Sequence, residues 1–445
     1  MNRKVILCAL VAAIGGFLYG FDTAVINGAL PFFRAYFNLD ATMTGWAVSS
    51  ALIGSIIGAI SIGVPGDKYG RREMLKLSAI LFAISAIGTA MANDINTFIA
   101  FRLIGGLAVG AASVLSPMYI SEISPAMFRG RLIVTFQLSL VVGILLAFMV
   151  DYMLVDTGAN NWRYMFISEI FPSILFLILL FFVEKSPRWL VQKDRIEEAK
   201  LVIEAIGPEE DAQNLIIQIQ NTLSREAGYK TENLFKKGNF KFILLGIAVG
   251  LFSQFTGIAI VMYYATDIFR SAGFSTDSAI GQTVVLGLTN LIFTIIAMLL
   301  IDKIGRKRLL LTGMLGMSVF LGLFSYSFLG GNLGNLINLI LLVGFVAFFA
   351  SSMGAVVFVL FAEIFPNSIR SRGMAIGSFS NWIVNASITF IFPVFVSAFD
   401  KRIGIGYSFA FFSIMTFIGF WVFKKFLFET HNRSLENIEM GNKMI

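Results

Sequence analysis

Long apolar runs separated by short polar loops make up most of this sequence. About twelve of the runs are long enough to cross the hydrocarbon core of a membrane, which takes roughly 20 apolar residues in a helix. They are centred near residues 18, 55, 82, 108, 142, 174, 254, 290, 318, 348, 385 and 414. The pattern therefore predicts an all-α membrane protein with twelve transmembrane helices.

One long polar stretch, residues 184–240, interrupts the apolar runs after the sixth. It is rich in acidic and basic side chains, and its apolar residues recur at helical spacing. These residues are Leu190, Ile196, Ala199, Val202 and Ile206. The stretch is therefore expected to form short amphipathic helices that lie against the inner face of the membrane domain.

The composition excludes the soluble classes of protein. The chain has 445 residues, of which 57% are hydrophobic and 14% charged, and its mean hydropathy is +0.81, far above that of a soluble domain. The first apolar run is too long and too continuous with the rest to be a cleaved signal peptide. Cys8 is the only cysteine, so an internal disulfide is impossible.

The basic residues predict the orientation in the membrane. With both termini in the cytoplasm, all but six of the 34 Lys and Arg fall in cytoplasmic segments, as the positive-inside rule requires. The six exceptions are Arg34, Arg163, Arg270, Lys401 and Arg402 outside and Arg102 within a helix. The net charge of +7 thus reflects membrane topology and is no argument for nucleic-acid binding.

Two loop motifs recur in the same order in both halves of the chain. GDKYGRREML (66–75) is matched by IDKIGRKRLL (301–310), and SEISPAMFRGR (121–131) by AEIFPNSIRSRG (362–373). Repeats of this kind indicate two six-helix halves with a binding site near the bilayer midplane. The predicted domains are residues 1–184, a cytoplasmic linker 185–240, residues 241–428 and a cytoplasmic tail 429–445.

Polar amides within the spans are candidates for binding a substrate. A carboxamide offers one acceptor and two donors, which suits a ligand with several hydroxyl groups. Any single amide serves equally well as an interhelical hydrogen bond. The candidates are Gln137, Gln254, Asn290, Asn381, Trp382 and Asn385, the tryptophan offering an apolar face to a sugar ring.

A single carboxylate, Asp22, lies in the middle of the first apolar run. An acid at the centre of a membrane helix costs about 2.5–3.5 kcal/mol even on lenient scales, so it must face something other than lipid. Arg102 is the only base well inside a predicted helix, and Glu169 is expected to be the only other deep acid. Asp22 and Arg102 are either a proton-coupling pair or a permanent pair that holds two helices together.

The sequence resembles the sugar porter family of the major facilitator superfamily over nearly its whole length, and in particular the bacterial xylose–proton symporters. The loop motifs above carry this resemblance together with GGFLYGFDTAVINGAL (15–30), FRLIGGLAVG (101–110), EKSPRWL (184–190) and SQFTGIAIVMYYATDIF (253–269). The resemblance implies the major facilitator fold, alternating access and monosaccharide transport. In relatives, an aspartate at the place of Asp22 accompanies proton symport and an asparagine accompanies passive transport.

The resemblance also assigns a gating function to the cytoplasmic motifs, whose interhelical ion pairs hold the inner side shut. We expect such pairs to be exposed and weak, because they must break in every cycle. The residues are Asp67, Arg71, Glu122, Arg129, Arg131, Asp302, Arg306, Glu363, Arg370 and Glu429. Glu169 is expected to be structural, near the family's inner-leaflet network.

Four departures from the family pattern leave the identity of the sugar open: Ser253, Ala259, Ile144 and Phe358 stand where relatives place hydrogen-bonding side chains. The sequence therefore predicts a monosaccharide–proton symporter in the cytoplasmic membrane, functional as a monomer, with no cofactor or metal. A passive sugar facilitator is the alternative within transport, and a non-transporting nutrient sensor is the alternative outside it. Because we find no catalytic constellation, an enzyme is not expected.

Overall fold

The computed structural model describes residues 2–125, 127–206, 212–228, 239–331, 333–366 and 369–429, apart from the side chains of residues 225–228, 302 and 371. Within these ranges every regular element is a helix. Twelve helical segments there are long and apolar enough to cross a membrane, and each predicted centre falls inside one of them. The predicted fold class is confirmed.

The first six spans are built from eight helices. In chain order these are α1 (Arg3–Tyr36), α2 (Ala41–Ser61), α3 (Gly63–Tyr69), α4 (Arg71–Met91), α5 (Ile95–Ile123), α6 (Arg129–Leu154), α7 (Asn161–Ile167) and α8 (Ile170–Leu179). α5 begins where Asp94 accepts a hydrogen bond from the backbone N–H of Thr97, a standard N-cap. The hydrogen bonds from Thr97 also lower the pKa of the exposed Asp94 carboxyl.

Three short helices, α9 (Pro187–Gln192), α10 (Ile196–Ile206) and α11 (Ala212–Gly228), follow in the linker. Ser186 caps α9 by accepting from the N–H of Trp189. The Trp189 indole donates to the backbone carbonyl of Asp67 and lies against Gly70. The EKSPRWL motif therefore joins the linker to the first of the repeated loop motifs.

The last six spans contain eight further helices. These are α12 (Phe240–Gln254), α13 (Ile258–Ser271), α14 (Thr276–Ile304), α15 (Arg306–Tyr326), α16 (Asn335–Ser351), α17 (Met353–Glu363), α18 (Arg370–Ser397) and α19 (Lys401–Phe426). Side chains again cap the first turns, since Ser275 accepts from Ser278 N–H and Asp400 from Arg402 N–H.

The chain forms two compact units. The first consists of Met1–Phe32 and Ser50–Lys230, and the second of Phe33–Ser49 and Thr231–Ile445. Residues 33–49, the end of α1 and the start of α2, thus belong with the second unit. The domain boundaries stated above stay a prediction, and residues 430–445 of the predicted tail lie outside the described part.

Small residues allow the membrane helices of the first unit to approach closely. A Cβ atom on Gly20 would lie 1.9 Å from the carbonyl oxygen of Leu140, and one on Gly143 would lie 2.1 Å from that of Phe17. Neither glycine could be replaced without moving α1 away from α6. Packing of small residues is a main source of helix association in lipid.

Several spans are interrupted near their middles. Gly257, with φ of +81°, separates α12 from α13. Ser168 and Glu169 separate α7 from α8, and Ser352 separates α16 from α17. Interrupted membrane helices expose backbone groups and reorient side chains, which is why transporters place their sites at such breaks.

Candidate functional site

The first unit contains a buried ion pair between α1 and α5. Arg102 Nη1 donates to Asp22 Oδ1 at 2.5 Å, and Nη2 donates to the backbone carbonyl of Asp22 at 3.3 Å. The two side chains are 1% and 2% exposed. The structure thus brings together the two charges that the sequence singled out, while their function in proton coupling stays a prediction.

The surroundings of Arg102 fix its position. Its guanidinium carbon lies 5.6 Å from the ring centroid of Phe166, within the range of cation–π attraction. Gly105, one turn further along α5, allows Ser85 to pack beside the pair, because a Cβ there would lie 2.4 Å from Ser85 Oγ and 3.3 Å from Asp22 Oδ1. Arg102 Nε is buried and has no hydrogen-bond partner among the described residues.

Glu169 belongs to the same cluster. It is 1% exposed, and it interacts electrostatically with both Asp22 and Arg102. Its Oε1 atom has no hydrogen-bond partner within the described ranges. The residue lies at the break between α7 and α8, in the middle of its span, and its expected structural function near an inner-leaflet network stays a prediction.

The cluster holds two carboxyl groups and one guanidinium. With both acids ionised it would carry one uncompensated negative charge, which is costly in a buried site. One bound proton makes it neutral. Which of the two acids would hold such a proton depends on the position of Arg102, and this function in proton coupling stays a prediction.

The second unit contains a cluster of amides at the end of α12. Gln254 Nε2 donates to Asn381 Oδ1 at 3.2 Å, and Asn381 Nδ2 donates to Ser253 Oγ at 2.6 Å. Gln254 Oε1 is buried and has no partner in the described part of the chain. It is thus an acceptor placed directly before the break at Gly257.

Two of the other candidate substrate residues form hydrogen bonds within their own helices. Asn290 and Asn385 each accept from a threonine one turn later on their own helix, at 3.5 and 3.3 Å. Trp382 is half-buried beside Asn381 on α18, and Gln137 is half-buried on α6 in the first unit. The substrate assignment of all six residues stays a prediction.

The first of the repeated loop motifs centres on Arg71. Its guanidinium contacts Asp67 at 2.9 Å, Glu122 at 3.1 Å and the carbonyl of Gly66 at 3.0 Å. The side chains of Arg71 and Glu122 are only 6% and 8% exposed. The expectation of exposed ion pairs was wrong for this pair, because the start of the linker helix α9 lies against it, with Ser186 in contact with Glu122.

The matching motif of the second unit repeats this geometry. Arg306 Nη2 contacts Glu363 at 3.3 Å, and Nη1 donates to the carbonyl of Ile301, five residues earlier, as Arg71 does to Gly66. Glu429 accepts from the backbone N–H groups of Arg306 and Lys307 at 2.9 and 3.1 Å. Glu429 therefore caps the start of α15.

The remaining predicted gating residues make fewer polar contacts in the described part of the structure. Arg129 and Arg131 are exposed at the start of α6, and no ion pair to either is present in the described ranges. Arg370 donates to the carbonyl of Phe365 over 3.5 Å. The side chain of Asp302 lies outside the described part of the structure.

Sequence reasoning missed two buried acids, Asp151 on α6 and Asp267 on α13. Asp267 forms a two-bond ion pair with Arg34 at 2.5 and 3.0 Å, within the second unit. Both acids lie near the ends of their spans, where a linear reading counts them as loop residues. The one sequence signal that pointed to Arg34 was that few charged residues lie on the predicted outer side of the membrane.

These features define a membrane transporter made of two six-helix halves, with a buried charge cluster in one unit and a polar amide cluster in the other. The sequence model of the family described as "Sugar (and other) transporter" matches residues 8–441. The chain therefore belongs to this sugar transporter family and is a multi-pass membrane protein.

Individual relatives cover nearly the whole chain. It is 36% identical to the D-xylose-proton symporter of Escherichia coli (strain K12), over 97% of this chain and 94% of that protein. It is also 36% identical to the arabinose-proton symporter of Bacillus subtilis (strain 168), over 98% and 94%. The inward-open structure of the xylose transporter XylE from E. coli matches with a TM-score of 0.87 at 34% identity, over 98% of this chain and 99% of that one.

Proposed function

We propose that this protein carries a monosaccharide together with protons across the cytoplasmic membrane by alternating access. The observation that carries the proposal is the buried cluster of Asp22, Arg102 and Glu169 in a member of the sugar transporter family. Relatives named for xylose and arabinose support an aldopentose as the first class of substrate to test.

Coupling follows from the charge balance of the cluster. When Asp22 is ionised it pairs with Arg102, and Glu169 holds the proton that keeps the site neutral. When Asp22 takes a proton, Arg102 is released and pairs with Glu169 once that acid ionises or transfers its proton. Because the affinity of Asp22 for a proton depends on where Arg102 points, any helix movement that displaces Arg102 changes proton binding.

The amide cluster supplies the sugar contacts in the second unit. A sugar hydroxyl that donates to Gln254 Oε1 satisfies a buried acceptor, and the neighbouring Trp382 offers a flat apolar surface for the ring. Gln137, Asn290 and Asn385 extend the proposed set of polar contacts. A site of this kind rejects analogues that lack the matching hydroxyl, because buried polar groups are then left unpaired.

The ion pairs of the cytoplasmic motifs, Arg71–Glu122 and Arg306–Glu363, are proposed to act as a latch: they form and break in each transport cycle. The proposal places both termini in the cytoplasm. It takes the monomer as the functional unit. The buried Arg71–Glu122 pair and the half-buried Arg306–Glu363 pair occupy equivalent places in the two halves. Since each arginine also donates to a carbonyl five residues earlier, its position is fixed whether or not the acid stays in contact.

The test is uptake of labelled monosaccharides into proteoliposomes with and without an imposed pH gradient. Xylose and arabinose are compared with glucose, with a disaccharide as the control for specificity. We expect at least one monosaccharide to accumulate above its external concentration when protons are supplied outside. Equilibration without accumulation at any pH gradient would establish a passive facilitator, and no saturable uptake of any sugar would favour a sensor.

A further inference from the structure

A carboxylic acid that the coupling cluster does not include is buried near the C-terminal end of α6. Asp151 belongs to the first unit, and its side chain is 0% exposed. Its Oδ2 atom accepts one hydrogen bond, from the backbone N–H of Gly28 on α1 at 3.2 Å. Its Oδ1 atom is buried and has no hydrogen-bond partner among the described residues.

The absence of a side chain at Gly28 makes room for this carboxyl group. A Cβ atom on residue 28 would lie 2.5 Å from both the Cβ and the Oδ2 of Asp151, and 2.6 Å from its Cγ. The space that a side chain would occupy at position 28 is thus filled by the acid. Asp151 is therefore a fixed part of the contact between α1 and α6.

No opposite charge compensates Asp151 in the described part of the chain. The charged side chains of α1, α6 and the helices that pack against α6 are bonded elsewhere or lie at the far end of their helices. They are Arg3, Lys4, Asp22 and Arg34 on α1, Arg102 and Glu122 on α5, Arg129 and Arg131 on α6, and Arg163 on α7. Arg163 donates to the carbonyls of Ala90 and Ala92, and Arg131 lies about 30 Å from Asp151 along α6.

A carboxylate at this site exchanges the hydrogen bonds of its hydration shell for a single hydrogen bond from a neutral donor. Burial without a counter-charge is far more costly for the ionised acid than for the neutral acid, so the group takes up a proton. We propose that Asp151 is a second proton-binding site, separate from the Asp22 cluster, which holds its proton as long as α6 is seated on Gly28.

The proposal predicts a specific pH dependence of folding. In the unfolded chain Asp151 ionises near pH 4, the ordinary range of aspartate, whereas the folded protein keeps the proton to higher pH. Between these points the folded state binds one more proton, so stability falls as the pH rises. Relative to an Asp151→Asn variant, the unfolded-to-folded ratio of the parent rises by up to tenfold per pH unit in this window.

Two measurements on the purified full-length protein test the site. Infrared spectra in detergent should show a protonated-carboxyl band that Asp151→Asn lacks and that the control Asp156→Asn, a change at an exposed acid nearby, keeps. Between pH 5 and pH 8, the unfolded-to-folded ratio of the parent relative to Asp151→Asn should rise by up to tenfold per pH unit. The same ratio relative to Asp156→Asn should not change with pH. If Asp151→Asn does not fold, Asp151→Ala replaces it, since the smaller side chain fits the same seat.

Identical carboxyl bands and parallel pH profiles in parent and variant would overturn the proposal. Transport separates this site from the coupling cluster, because Asp151→Asn should keep uphill sugar uptake at neutral pH, whereas Asp22→Asn should lose it. The infrared result for Asp151 stands whether or not Asp22 proves to be the coupling acid, so the two proposals fail independently.

Discussion

Replacing Asp22 by asparagine removes an ionisable group from the charge cluster while it keeps the size of the side chain and one acceptor oxygen. The 2.5 Å bond from Arg102 changes from a charge-assisted bond to one with a neutral acceptor, which costs about 1–2 kcal/mol. Glu169 can then ionise and balance Arg102. The variant is therefore expected to fold, to bind sugar and to exchange sugar between equal pools.

Arg102→Ala should be much more damaging to stability, by about 3–5 kcal/mol, because it leaves two buried acids without a base. Both acids must then be protonated in the folded state, whereas they ionise in the unfolded chain at neutral pH. The folded state thus binds more protons, and lowering the pH should restore part of the lost stability. Thermal unfolding in detergent at two pH values measures this rescue.

Uphill uptake driven by a pH gradient is the decisive assay for Asp22→Asn. With Glu169 as the one acid left in the cluster, Arg102 has no second acid to alternate with, so the variant should equilibrate sugar but fail to concentrate it. Asp94→Asn is the matched control, since it makes the same chemical change at an exposed cap and asparagine is an equally good N-cap. If Asp22→Asn concentrates sugar as well as the control does, Asp22 is a structural residue and the coupling argument fails.

Three further predictions concern the amides, the latch and the second buried ion pair. Gln254→Ala should weaken sugar binding by about 1–3 kcal/mol, because a hydroxyl and Asn381 both lose a partner; unchanged affinity in calorimetry would remove Gln254 from the site. Glu122→Gln should slow net uptake and shift single-molecule distances between cytoplasmic labels, and unaltered distance distributions would contradict the latch. Arg34→Lys should lower the stability of the folded protein by about 1 kcal/mol, because lysine cannot make both bonds to Asp267; an unchanged melting temperature would show that the second bond adds nothing.

The membrane spans and the loop motifs were readable from the sequence because both are local. Twenty apolar residues must form a helix in lipid, whatever their tertiary partners are. The link between Asp22 and Arg102 was also predictable, since an acid and a base that both lie deep in apolar helices have few other partners. Sequence alone identified this pair although its members are 80 residues apart.

Contacts that depend on packing could not be read in this way. The burial of Arg71 and Glu122 depends on packing by the linker, whose Ser186 contacts Glu122 although it is distant in the chain. Asp151 follows an apolar run and precedes a polar loop, so its burial is decided by the absence of a side chain at Gly28. The pairing of Gln254 with Asn381, in preference to Asn290 or Asn385, depends on where α12 breaks.

Four acids that are buried within the described membrane spans, Asp22, Asp151, Glu169 and Asp267, differ in the charge beside them. We propose that this difference decides which of them can couple transport to protons. Asp267 has Arg34 as a two-bond partner. Asp151 has one neutral donor and no counter-charge, and it stays protonated. In neither arrangement does the acid alternate between a charged and a protonated state. Asp22 is bonded to Arg102, and Glu169 lies close enough to interact electrostatically with both. In the proposed coupling, a movement of Arg102 changes which of the two acids holds the proton. Two acids competing for one base is the arrangement in which a small displacement of a helix becomes a change in proton affinity.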